Sequence, residues 1–113
     1  MYRGLLTEAQ AVTWEQGEAY SAYRLAEVLA ASDQFEEAEH WFKHAITMAE
    51  QWNELILQAH VHLGRASLLR KQKRLIEAYS LALTALDLYR RLGARDYQED
   101  ATDLVMGLEK ELA

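Results

Sequence analysis

Cysteine and proline are both missing from this 113-residue chain. Without cysteine there is no disulfide framework, no thiolate zinc site and no thiol nucleophile, which suits a reducing compartment. Without proline, nothing in the chain forces a helix to break. Glycine is scarce, at five residues, and none of it forms a phosphate-cradling loop. The chain has no apolar run of the roughly 18 residues a membrane span needs, and Met1-Tyr-Arg-Gly-Leu-Leu-Thr-Glu8 has no signal-peptide core. These absences lead to the expectation of a soluble, cytoplasmic protein with no membrane association.

An excess of base is missing as well. The net charge of −6 argues against a nucleic-acid partner, because phosphate repels an anionic chain at long range. The charge is segregated. Residues 1–54 hold ten acids and three bases, 55–95 hold two acids and eight bases, and 96–113 hold six acids and one base. The middle segment, with Arg65, Arg70, Lys71, Lys73, Arg74, Arg90, Arg91 and Arg95, forms solvated helix ends or meets an acidic partner, an RNA, or the acidic ends of another copy.

What is present is a repeat. Phe35-Glu-Glu-Ala-Glu-His-Trp-Phe-Lys-His-Ala45 returns forty residues later as Leu75-Ile-Glu-Ala-Tyr-Ser-Leu-Ala-Leu-Thr-Ala85. Beyond this core Ala19 matches Ala59, Ala26 matches Ala66, Leu29 matches Leu69, Ile46 matches Leu86, and Trp52 matches Leu92. Apolar and small residues shared at a fixed offset mark a repeat array. With half the residues apolar and recurring every three to four positions, the elements are helices.

The expected organisation is one domain over 1–113: a partial leading helix in 1–13, a first repeat in 14–53, a second in 54–93, and a terminal capping helix in 94–113. Helices are expected over 1–12, 14–31, 34–52, 54–71, 74–92 and 96–112, the first two either separate or one continuous rod. Thr13 with Gln16, Asp33 with Glu36, and Asp96 with Glu99 have the spacing of capping boxes. Asn53 and Gly93 stand where a left-handed residue would end a helix. The joint Lys71-Gln-Lys-Arg74 has no such cap and is expected to be softer.

Leu25-Ala26-x-x-Leu29, Ala38-x-x-x-Phe42 and Ala45 resemble the tetratricopeptide-repeat pattern of helix pairs. Arg65-Ala66-x-x-Leu69, Ala78-x-x-x-Ala82 and Ala85 repeat it with Ala82 in the aromatic's place. Neither copy has the family's closing proline, and the period of forty exceeds the family's usual 34 or so. Such long repeats look like those of bacterial regulators that sense peptides or partner proteins. The resemblance implies an all-α fold of antiparallel helix pairs in a right-handed superhelix, about two and a half repeats in five or six helices. It also implies a non-enzymatic module that binds a peptide or helix of a partner protein in a concave groove lined by the first helix of each pair. The groove residues would be Tyr20, Tyr23, Arg24 and Glu27 in the first repeat and His60, Leu63, Ser67, Arg70 and Lys71 in the second. A rival expectation is a sensor, regulatory or self-association domain of a larger bacterial-type regulator, with homo-oligomers formed through exposed ends of the stack.

Other constellations are weaker. Glu36, His40 and His44 share one helix stripe, read as a solvated polar face opposite Trp41 and Phe42 rather than as the site of a metal-dependent hydrolase, since no His-Glu-x-x-His base is present. His60 and His62 point to different sides of a helix. Trp14, Trp41 and Trp52 are read as core rather than as a ligand cage, since Trp41 and Trp52 align with Leu81 and Leu92. Ser21, Ser32, Ser67 and Ser80 have no nucleophile elbow around them. Neither catalysis, a cofactor nor a metal is expected.

Overall fold

The computed structural model describes residues 8–113, with side chains from residue 17 onward. These residues form five α-helices and no strand: α1 (Glu8–Ala31), α2 (Phe35–Gln51), α3 (Leu55–Lys71), α4 (Leu75–Leu92) and α5 (Arg95–Leu112). Of the two alternatives for the first helices, the continuous one holds over the described residues, since α1 runs unbroken past Thr13. What was expected of residues 1–7, and of the Thr13, Trp14 and Gln16 side chains, lies outside the described residues. No helix among those described is long and apolar enough to cross a membrane.

The turns reveal a period of twenty. Asp33, Asn53, Lys73 and Gly93 all have positive φ, between 54° and 68°. At each turn the left-handed residue's amide bonds a carbonyl three back, and the next amide bonds one five back: Asp33 to Ala30 and Gln34 to Leu29, through to Gly93 to Arg90 and Ala94 to Tyr89. This pair of bonds is the Schellman motif. The residue after the left-handed one opens the following helix, its carbonyl taking the first helical bond, as Gln34 does from Ala38 and Ala94 from Gln98.

Asp33 therefore ends α1 and does not cap α2. The N-cap residues are Gln34, Glu54, Arg74 and Ala94, and none makes a side-chain cap. The Asp96–Glu99 pair lies inside α5, which starts at Arg95. The basic joint at Lys73 has the same bonds as the other turns, with Lys73 to Arg70 at 3.0 Å and Arg74 to Leu69 at 2.9 Å.

Each helix packs on the next, and α3 also touches α1 and α5. The core is split in two by α3. Its Leu57, Val61 and Leu68 face a cluster with Ala26, Ala38, Phe42 and Ala45, while its Ala59, Ala66 and Leu69 face a second with Ala78, Ala82, Tyr89 and Leu108. Fully buried alanines at these contacts let the helices approach closely, and the few large side chains fill the remaining grooves. Gly64 shows how tight the first cluster is: a Cβ there would lie 2.7 Å from the Phe42 ring. The radius of gyration, 15.1 Å, exceeds the roughly 13 Å of a compact domain this long, so the molecule is an open slab of helices.

The segregated charges meet between neighbouring helices. Arg65 of α3 pairs with Glu39 of α2 at 2.6 Å, Arg70 with Glu111 of α5 at 2.8 Å, and Lys71 lies 3.7 Å from Asp33. The basic middle of the chain thus finds acids of both flanks within the same molecule.

Candidate functional site

Tyr20, Tyr23, Arg24 and Glu27 recur at helical spacing on one stripe of α1. Forty residues after Tyr20 and Tyr23 stand His60 and Leu63 on α3, and forty after His60 stands Asp100 on α5. Fold and repeat bring these positions to one place. Together with Tyr89 and Tyr97 they line a cleft of about 400 Å³ across α1, α3 and α5.

His60 is at its centre. Its ring stacks on Tyr23 (centroids 5.8 Å apart, planes 20° apart) and meets Tyr97 edge-on at 4.6 Å. Tyr97 in turn stacks on Tyr89 at 5.5 Å, and Tyr23 leans on Phe42 at 6.3 Å. The row of rings runs from the core out to the surface, where Tyr97 is 46% exposed.

The Tyr89 hydroxyl lies 2.5 Å from His60 Nδ1. Burial pushes the Tyr89 phenol above its ordinary pKa, reinforced by Tyr97, Asp100 and Glu27, so it keeps its proton. Burial also holds the His60 pKa below its ordinary value. A buried O–H needs an acceptor, so Tyr89 donates, neutral His60 accepts at Nδ1, and its proton sits on Nε2. Tyr23 donates to Glu27 Oε2 at 2.9 Å, and its phenol pKa is raised by burial and then by Glu27. Tyr20 is shifted upward too, by burial and by the charge of Glu54.

A second hollow of about 210 Å³ adjoins the first at Glu27, which lines both, and reaches Phe42, Gly64, Ser67 and Lys71. Of the nine expected groove residues, Tyr20, Tyr23, Arg24, Glu27, His60 and Leu63 come together in the larger cleft, and Ser67 and Lys71 lie in the smaller one. Arg70 lines neither cleft and holds Glu111 through Nε. The Lys71 ammonium donates to Ala30 O at 3.1 Å, satisfying the end of α1.

The chain matches no protein-family model, no curated protein and no solved structure. Its chemistry must therefore be argued from its own residues.

Tyr89, Tyr97 and Asp100 were missed in the sequence. Asp100 was within reach, as it is the forty-residue image of His60. Tyr89 and Tyr97 stand in the places of Ala49 and Leu57, two fully buried positions, where the repeat signals core. Elsewhere, His40 and His44 are exposed and meet Trp41 edge-on at 5.4 and 5.6 Å. No group of three or more metal-type ligands occurs among the described residues. His62 faces away from the cleft, close enough to Arg65 and Glu50 to feel both charges.

Proposed function

We propose that this chain is a non-catalytic, tetratricopeptide-like interaction module that binds a segment of a partner protein in the cleft across α1, α3 and α5. In this reading α1–α2 and α3–α4 are two repeats of a right-handed superhelix, α5 is the terminal half repeat, and the odd-numbered helices line its concave side. The observation that carries it is the convergence of Tyr20, Tyr23, His60, Tyr89 and Tyr97 on one open cleft. Aromatic side chains give large contact area at little entropic cost and anchor many interfaces. In this reading the hydroxyl–imidazole contact of Tyr89 and His60 is structural, since the phenol is buried and keeps its proton.

Self-association through the ends has less support. On α1, Gly17, Ser21 and Val28 occupy the places of buried Leu57, Val61 and Leu68 on α3. On α5, Glu99, Met106 and Glu109 occupy those of buried Ala59, Ala66 and Leu69. Ser21, Glu99 and Glu109 make these faces more polar than the buried positions they match, although Val28 and Met106 keep them partly apolar at 62% and 51% exposure.

Photocrosslinking tests the reading. A benzophenone amino acid is placed at Tyr20, at Tyr97, or at Ile76, which is 77% exposed on α4 and outside the cleft. A stoichiometric partner crosslinked from Tyr20 and Tyr97 but not from Ile76 supports it. Crosslinks from Ile76 alone, or only to a second copy of the chain, overturn it.

A further inference from the structure

The protein-binding reading above leaves open what chemistry the cleft selects. We infer that it takes a cationic side chain, an arginine or lysine of the partner segment, between its aromatic rings and the carboxylates of Glu27 and Asp100. The inference rests on that reading and sharpens it.

Charge complementarity and ring geometry point the same way. Glu27 enters the cleft from α1 and Asp100 from α5, so the carboxylates flank the rings from both sides. One cation, Arg24, lies among the lining residues, against two acids. The negative field is felt inside: Asp100 and Glu27 both raise the Tyr89 phenol, and Glu54 raises Tyr20 at the mouth. His60 contributes no opposing charge, since burial and the Tyr89 hydroxyl keep it neutral. Tyrosine faces attract a cation through their quadrupole, most strongly where water is excluded. Guanidinium, planar and weakly hydrated, suits both the ring faces and the carboxylates. An acidic or phosphorylated segment would be repelled by the same groups.

Size limits the occupant. About 400 Å³ falls near the lower end of small-ligand pockets, enough for a side chain and its flanking backbone. Arg24 is then an internal competitor for the acids, and its removal makes the cleft more receptive.

The test is selection of random nine-residue peptides on the whole chain, followed by titration of the best binder. Expected are peptides that share one basic position. Replacing that residue by Gln weakens binding about tenfold and Asp100→Asn, at an exposed carboxylate, by up to about fivefold, whereas Arg24→Ala strengthens it. Asp100 and Arg24 are exposed, so neither change touches the core. Peptides with no shared basic position that nevertheless lose binding with Tyr97→Ala overturn the cation inference and leave the cleft reading standing. Peptides insensitive to every cleft variant, or none selected, overturn both.

Discussion

Tyr89 of α4 and His60 of α3 share one proton-bearing contact, the buried phenol donating to Nδ1 of the imidazole. It joins the second core cluster to the floor of the cleft, so the state of His60 is coupled to the fold.

Stability should therefore fall with acid before the carboxylates titrate. Burial lowers the pKa of His60, and that of His62 by burial and then by Arg65. The unfolded chain titrates its histidines near 6.5. As pH drops through that value the unfolded state binds protons that the folded state refuses, so stability is complete above about 6.5 and declines below it. Urea midpoints should be lower at pH 5.5 than at 7.5, with a slope of at most about 1.4 kcal/mol per pH unit for each histidine. His60→Gln, which keeps an acceptor for Tyr89, should flatten the slope; an unchanged slope in both His60→Gln and His62→Gln would refute the assignment.

Gly64 and Phe42 make a second coupled pair. A Cβ on Gly64 would meet Cε1 of the ring at 2.7 Å and Cζ at 2.9 Å, and Phe42 is fully buried. Alanine would gain up to about 1 kcal/mol of helix propensity but overpack by about 1–3 kcal/mol. Gly64→Ala is expected to be destabilising in the wild type and stabilising beside Phe42→Leu. Chemical denaturation of the four proteins measures this reversal of sign, and its absence would mean that the ring yields freely.

How much of this was legible depends on which force decides each position. The alanines at 26, 38, 45, 66, 78 and 85 repeat because close packing admits little else, and all are buried. Asn53 and Gly93 announced their turns because few residues accept positive φ. Asp33 misled: the Asp-x-x-Glu spacing suggests an N-cap, yet the backbone bonds of this turn put Asp33 at the left-handed position, and Gln34 opens α2 without a side-chain cap. Lys73 carries no sequence signal for its conformation, since the motif is imposed by the helices on either side. Tyr89 and Tyr97 were hidden for a related reason. An aromatic in a core register looks like core, and Tyr89 is fully buried there, whereas Tyr97 on α5 is 46% exposed.

Lys73 is the turn residue least suited to its backbone, at φ 64°. The left-handed region costs an L-residue roughly 1–2 kcal/mol, glycine much less. Lys73→Gly should raise stability by up to about 1 kcal/mol once the greater freedom of unfolded glycine is counted. Gly93→Ala should lower it by about 1 kcal/mol. Thermal melts of both variants decide the matter, and a destabilised Lys73→Gly would show that the lysine makes contacts that outweigh its strain.

Arg65 departs from the repeat in an informative way, standing where Leu25 stands in the first copy. It reaches Glu39 Oε1 through one terminal nitrogen at 2.6 Å, off the hydrogen-bonding direction, and its Nε has no partner. Both side chains are less than a quarter exposed, so the pair lies between the surface case, worth about 0–1 kcal/mol, and the buried case, where losing one partner costs about 3–5 kcal/mol. Glu39→Gln is expected to cost about 1–2 kcal/mol, the intermediate value. Arg65→Leu should cost a similar amount by stranding the carboxylate, while the double variant should cost less than the sum by about 1 kcal/mol. A double-mutant cycle by urea denaturation measures that coupling. Strict additivity would mean that the segregated charges serve solubility alone and that alanine packing holds α2 against α3 without them.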